Sequence, residues 1–344
     1  MIAKGKNSQL RAFVNLGKRM NDLTDFRPPL WLRSANIQTA LASSKLRNFV
    51  SRGFDAQSQK HIFDVGDGLK TSCYVNKHPL AKGMIILFHG WMGRPQSTYV
   101  LSAAKNFFDK GFSTARVTLP DHGDAAVLNK EMIPITRDSF LRGSVEQICD
   151  LEPSMPVGLI GFSMGGNCAL RIARDLPKTP IQQVCTVVAV SPVIEPEETC
   201  TLIDKSPLIR RYFLRKFDRL YRQKQAQFPE YRSANELLNQ RTLHGLTELS
   251  VLRWKEFSSA KMYFSAYKIK KADFTQANIP VTLLTAKDDP IVSVNSARAL
   301  DEGPNFERVF TSYGGHNGFF ERFPRQVFSE QVALARFKKA MGVH

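Results

Sequence analysis

The chain has 344 residues, 48 Lys and Arg against 31 Asp and Glu, a net charge of +17 and a hydrophobic fraction of 43%. This composition excludes a disordered, collagenous or coiled-coil chain and predicts a globular protein of one large domain or two. With no run of about 18 apolar residues, no secretory apolar segment and five cysteines at no zinc-type spacing, a cytoplasmic, soluble protein is expected.

In chain order, residues 1–25 read as a basic helix capped by Asn7 or Ser8, and residues 1–55 as an N-terminal arm. Two strands follow at 61–66 and 69–76, joined by the hairpin signal Gly66-Asp67-Gly68. The apolar run 84–90 is a strand entering a glycine turn. A helix at 97–110 has Ser97 as cap and Gly111 as stop. Strands at 112–119, 157–163 and 184–192 alternate with helices at 136–151 and 164–176.

From 195 to 277 the alternation stops and several helices are expected. Residues 201–274 hold 16 Lys and Arg against 7 Asp and Glu. Within them, 209–224 is a basic helix whose Ile209, Tyr212, Phe213, Phe217, Leu220 and Tyr221 recur at helical spacing. Such a stripe packs on the rest of the protein or lies on an anionic membrane surface, which makes that surface a candidate partner and a peripheral location at the membrane a candidate address. Nucleic acid is not expected, because no zinc-finger or RNA-recognition pattern is present. Alternation resumes with a strand in 279–289, a helix near 295–301, a strand at 306–313 and a terminal helix from about 326.

Apolar strands separated by helices predict an α/β fold: a mostly parallel sheet of about eight strands, helices on both faces. The core is expected at 56–194 and 278–344, with 195–277 as a helical cap.

Chemistry concentrates at the turns that end the strands. Gly161-Phe162-Ser163-Met164-Gly165 is a G-x-S-x-G between an apolar strand and a helix. A serine there sits in a strained turn whose neighbours must be small, and its Oγ projects at the carboxyl edge of the sheet. His316, in Gly314-Gly315-His316, follows the last strand and is placed to act as base on Ser163. An acid must hold the imidazole. Asp288 and Asp289 follow the strand at 281–286, and Glu195 is an outside alternative. The oxyanion needs N–H donors. The backbone N–H of Met164 opens a helix, where the dipole helps, and that of Trp91 lies in the His89–Gly93 turn. His89 and His122 read as structural.

The G-x-S-x-G elbow, the H-G-x-x-G turn, the D-D-P turn and the G-G-H turn together resemble the α/β-hydrolase superfamily over residues 84–320. Phe26-Arg27-Pro28-Pro29-Leu30-Trp31-Leu32 and Asn36-Ile37-Gln38-Thr39 are similar to the opening segment of its YheT-like subgroup, whose eukaryotic relatives act on lipids. The resemblance implies Asp289 as the acid, since Asp289 to Val292 matches the placement usual in this fold. It implies a serine hydrolase of carboxylic esters acting through Ser163, His316 and Asp289 with an acyl-enzyme, on a small-molecule acyl ester, either a lipid or one of medium chain length, and needing no cofactor or metal. The same serine serves an acyltransferase, although Arg94 stands where one transferase motif places Asp. A binding protein on this fold would need a broken triad, and all three positions are filled.

Overall fold

The computed structural model describes residues 26–254 and 256–343; the helix expected over 1–25 lies outside them. Its strands are β1 (Gln59–Asp64), β2 (Lys70–Asn76), β3 (Met84–Phe88), β4 (Ser113–Val117), β5 (Val157–Phe162), β6 (Val184–Val190), β7 (Val281–Ala286), β8 (Phe306–Thr311), β9 (Phe320–Arg322) and β10 (Gln326–Val327). Its helices are α1 (Ala35–Ala42), α2 (Thr98–Asp109), α3 (Asp138–Cys149), α4 (Met164–Asp175), α5 (Pro196–Lys205), α6 (Pro207–Gln227), α7 (Asn235–Leu238), α8 (Leu243–Val251), α9 (Ala260–Ala266), α10 (Val294–Arg298) and α11 (Phe328–Ala340).

Eight strands form one sheet in the order β1-β2-β4-β3-β5-β6-β7-β8. Strands β3 to β8 run parallel, and β1 and β2 pair antiparallel at one edge. Helices cover both faces, so every residue of β3, β4, β5 and β7 is buried. That double burial is why these strands read as unbroken apolar runs rather than alternating ones. Successive side chains still part company. Ile86 and Phe88 join a core with α3, α4 and the helices from α5 to α9. Ile85 and Leu87 join a second core with α2, α11 and the segment from Phe26 to Phe54. Phe26 stacks on Phe328 there, with ring centres 5.0 Å apart.

The β1–β2 hairpin turns through Gly66, Asp67 and Gly68, all with positive φ, as the Gly-Asp-Gly signal predicts. Three expectations need correction. Ser97 sits at the start of α2, but its hydroxyl accepts from Arg94 N (3.0 Å) and caps no helix amide. The helix near 295–301 closes at Arg298. Residues 326–327 are strand, paired with β9, so the terminal helix begins at Phe328. The pairing partner lies across a turn that carries no hydrophobic period, and so leaves no pattern to read.

Candidate active site

The carboxyl ends of β3, β5, β7 and β8 face one region, as ligand sites in parallel sheets require. At the end of β5 the chain reverses into α4 within one residue. Ser163 occupies that corner with φ 56° and ψ −116°, a conformation costly for a side chain other than glycine. A Cβ on Gly161 would collide with the Gly165 carbonyl, and one on Gly165 with the Phe88 carbonyl. The two glycines of G-x-S-x-G are therefore steric necessities of this turn. Ser163 N donates to Val190 O (2.9 Å), which pins the corner to β6.

His316 lies on the turn after β8 and is nearly buried. Its Nδ1 is 2.9 Å from Asp289 Oδ2 and 3.1 Å from Oδ1. Asp289 Oδ1 also accepts from Ile291 N (2.8 Å) and Val292 N (3.0 Å), so the backbone of the D-x-x-V turn aims the carboxylate. Asp288 points elsewhere. Its Oδ1 accepts from Gly315 N (2.9 Å), which shapes the histidine turn, and burial pushes its carboxyl above the usual range. Glu195 pairs with Lys268 (2.7 Å) instead of the imidazole. Asn317 N donates to Ser191 Oγ (3.3 Å), tying the histidine turn to the end of β6 beside the serine corner. Among the described residues no hydrogen bond joins Ser163 Oγ to His316.

Sequence reasoning did not anticipate what holds the histidine turn from outside. Gln38 is buried and donates to Leu32 O (2.8 Å) and Phe320 O (3.2 Å), while its Oε1 accepts from Phe320 N (2.8 Å). Thr39 Oγ1 accepts from His316 N itself (2.9 Å). The only trace of this in the sequence was the Gln-Thr pair quoted for the resemblance.

The turn after β3 is fixed by two neutral histidines. Burial drives both imidazoles down, His89 well below the usual value and His122 to about 4. His122 Nε2 accepts from Met92 N (2.9 Å) and its Nδ1 donates to Pro120 O (2.5 Å). His89 Nε2 accepts from Leu119 N (3.1 Å) and its Nδ1 donates to Gly90 O (2.8 Å). Met92 N and Gly93 N are thus engaged. The N–H groups of Trp91 and Met164 have no hydrogen-bond partner among the described residues.

Ser163, Met164, Trp91 and His122 line a cavity of about 120 Å³ closed by α5, α6, α8 and α9. That is close to the size of apolar protein cavities that stay dry and take up benzene, about 150 Å³. Among the aromatic residues of this helical block, Phe213, Phe217, Trp254, Tyr263, Phe264 and Tyr267 line it, and Tyr212, Tyr221 and Phe257 do not. The one carboxylate in the wall is Asp121. It accepts from Lys224 Nζ (2.5 Å) and from Ile133 N, and Lys224 also donates to Glu131 O (2.7 Å). Burial of Asp121 and Lys224 makes this an internal ion pair between α6 and the turn after β4.

Comparison with known proteins gives a consistent result. The profile of the Hydrolase_4 family, described as serine aminopeptidase, S33, matches residues 79–321. The chain is 21% identical to phospholipase ABHD3 of Mus musculus over 334 residues, covering 93% of this chain and 79% of that one. Among solved structures it is similar to the Pyrococcus furiosus esterase Pf2001, with a TM-score of 0.53 and 18% identity over 83% of this chain and 91% of the other. It is also similar to ferulic acid-bound Est1E of Butyrivibrio proteoclasticus, with a TM-score of 0.53 and 14% identity over 82% and 99%. Likenesses to solved structures at such identities speak to the fold.

Proposed function

Because the chain belongs to the Hydrolase_4 family of the α/β-hydrolase superfamily, we propose that it is a serine hydrolase of carboxylic esters, with Ser163 as nucleophile, His316 as base and Asp289 as the acid that orients it. His316 Nε2 takes the Ser163 hydroxyl proton as Oγ bonds to the ester carbonyl carbon. The carbonyl oxygen becomes an oxyanion held by the N–H groups of Trp91 and Met164. The alcohol leaves with the proton from His316, and the acyl-enzyme remains. Water then attacks, losing its proton to His316, and the acid is released. The Ser163–His316 hydrogen bond closes in the substrate complex, as such bonds often do.

The observation that carries the ester reading is the cavity wall. An aminopeptidase needs a free carboxylate for the substrate's ammonium group. Asp121, the one carboxylate in this wall, is already neutralised by Lys224. An apolar acyl group suits what is left.

Lipid esters at an anionic membrane surface are the substrate class we favour. The mouse relative is named a phospholipase. The outer face of α6 supports the same reading: Arg211, Arg215, Arg219 and Arg222 are exposed beside Leu208 and Tyr212, while Phe213 and Phe217 on its inner face line the cavity. Residues 195–277 then act as the cap that selects the acyl chain.

The test is fluorophosphonate labelling of the protein and of Ser163→Ala, beside turnover of p-nitrophenyl esters from acetate to laurate. Labelling and turnover are expected and both vanish in Ser163→Ala. Labelling that survives the substitution overturns the assignment. Free acid as the product separates hydrolysis from acyl transfer.

A further inference from the structure

A second polar cluster sits behind the cavity wall, reaching it only through Cys200, and takes no part in the proposed ester chemistry. Cys200 and Asp204 are four residues apart on α5, so their side chains leave the same face. His244, on the first turn of α8, meets them. Cys200 Sγ is 3.3 Å from His244 Nδ1, and Nδ1 is 3.2 Å from Asp204 Oδ2. The three atoms all lie within 4.8 Å of one another, the one such trio of Cys, His, Asp or Glu among the described residues.

One proton position cannot serve every contact in this trio. The imidazole offers a single nitrogen to two neighbours. If Nδ1 carries a proton, it can point squarely at the sulfur or the carboxylate but not both. If it does not, it can accept the Cys200 S–H, but its lone pair then also faces Asp204 Oδ2. A cation at the common centre accepts a pair from each atom. Bonds to Zn²⁺ of about 2.0–2.3 Å in a tetrahedron place adjacent ligand atoms about 3.3–3.6 Å apart. The two separations here already approach that spacing.

Charge and orientation agree. A thiolate and a carboxylate cancel the charge of a divalent ion, which favours its transfer from water to a site where Cys200 is buried, Asp204 is mostly covered and His244 is partly exposed. Asp204 is held in place from behind: Oδ1 accepts from Leu243 N (2.7 Å) and Oδ2 from His244 N (3.1 Å). Such supporting bonds fix ligand direction. One sulfur, one nitrogen and one oxygen select Zn²⁺ or Co²⁺ over Mg²⁺ or Ca²⁺.

We propose that Cys200, Asp204 and His244 form a zinc site that clasps α5 to α8 behind the cavity wall. On binding, the S–H bond of Cys200 breaks, an S–Zn bond forms and the proton passes to solvent. His244 binds through Nδ1 with its proton on Nε2. Three protein ligands leave the fourth position to water.

The experiment uses the full chain, free of any tag and stripped with a chelator, titrated with Co²⁺ and then Zn²⁺. One equivalent of Co²⁺ should give a thiolate-to-cobalt charge-transfer absorption that Zn²⁺ abolishes. Zn²⁺ should release one proton per ion near neutral pH and raise the unfolding temperature. Loss of an outer supporting bond alone weakens such sites about 10–100-fold, so Cys200→Ser and His244→Gln should each cost more than that. Circular dichroism melts without metal keep a folding defect distinct from a lost ligand. Absence of the cobalt band, or a Cys200→Ser protein that binds zinc as tightly as the parent, overturns the proposal. Neither result bears on Ser163.

Discussion

His122 moves no proton in the proposed reaction, yet it governs the turn that presents Trp91. It can accept the Met92 N–H only while its imidazole is neutral. Its value in the fold is about 4 against 6.5 for the free group, so the unfolded chain binds the proton more readily. Stability therefore falls as pH drops from about 6.5 toward 4. At about 1.4 kcal/mol per unit, the loss approaches about 3 kcal/mol for this residue. His89, also lowered by burial, adds in the same direction. Urea midpoints measured at pH 7 and pH 4.5 should differ clearly in the parent and less in His122→Gln, which begins from a lower stability. Equal pH slopes in the two proteins would remove His122 as a cause.

The same scale shows which residues announce themselves. Ser163, Asp289 and His316 each sit on a turn with a recognisable local grammar, a strand before and small residues around. Gln38 and Thr39 have none. Their partners lie 282 and 277 residues away, and a hydrogen bond across such a distance imposes no period on the chain. The Asp121–Lys224 pair is hidden for a related reason: in sequence, Lys224 is one more cation on a basic helix.

At the scale of elements, α6 is bound to the turn that carries Trp91, the proposed oxyanion donor, as well as to the cavity. Phe213 stacks on Trp91 with ring centres 5.1 Å apart, and Lys216 Nζ donates to Met92 O (3.1 Å). Any shift of α6 carries the turn with it. Misplacing such a donor by about 1 Å can cost about 100-fold in rate. Lys216→Met should lower kcat on p-nitrophenyl esters by about 10-fold with little change in KM, and Lys216→Arg should restore most of it. A rise in KM with kcat intact would instead assign Lys216 to substrate binding. The helical periodicity of 209–224 was plain in the sequence. Which residues faced inward was not, because Tyr212 and Phe213 are adjacent and equally aromatic; the first is exposed and the second lies against Trp91.

For the whole molecule, α6 carries seven Lys and Arg against one Asp and turns four of its arginines outward over the cavity. No described helix is long and apolar enough to cross a membrane. Arg211, Arg215 and Arg219 form no ion pair among the described residues, whereas Arg222 is held by Asp218 (3.1 Å). Each cation near an anionic surface contributes about 1 kcal/mol. Replacing those three arginines by alanine should weaken co-sedimentation with phosphatidylserine vesicles by about 100-fold at low salt, and high salt should release the parent protein. A parent protein that stays in the supernatant at low salt removes the membrane from the proposed substrate class.

The hold of Gln38 and Thr39 on the histidine turn also orders events in time. A ribosome adding about 5–20 residues per second exposes the segment around Gln38 long before Phe320 exists. The 282 residues between them take about 14–56 s to make at that pace. Throughout that interval Leu32 and Phe54 lack the α11 side of their core, and the serine corner can form with no histidine beside it. On the proposed chemistry the nascent chain stays inert toward esters until the segments around Gln38 and Phe320 meet, and its early apolar residues stay uncovered meanwhile.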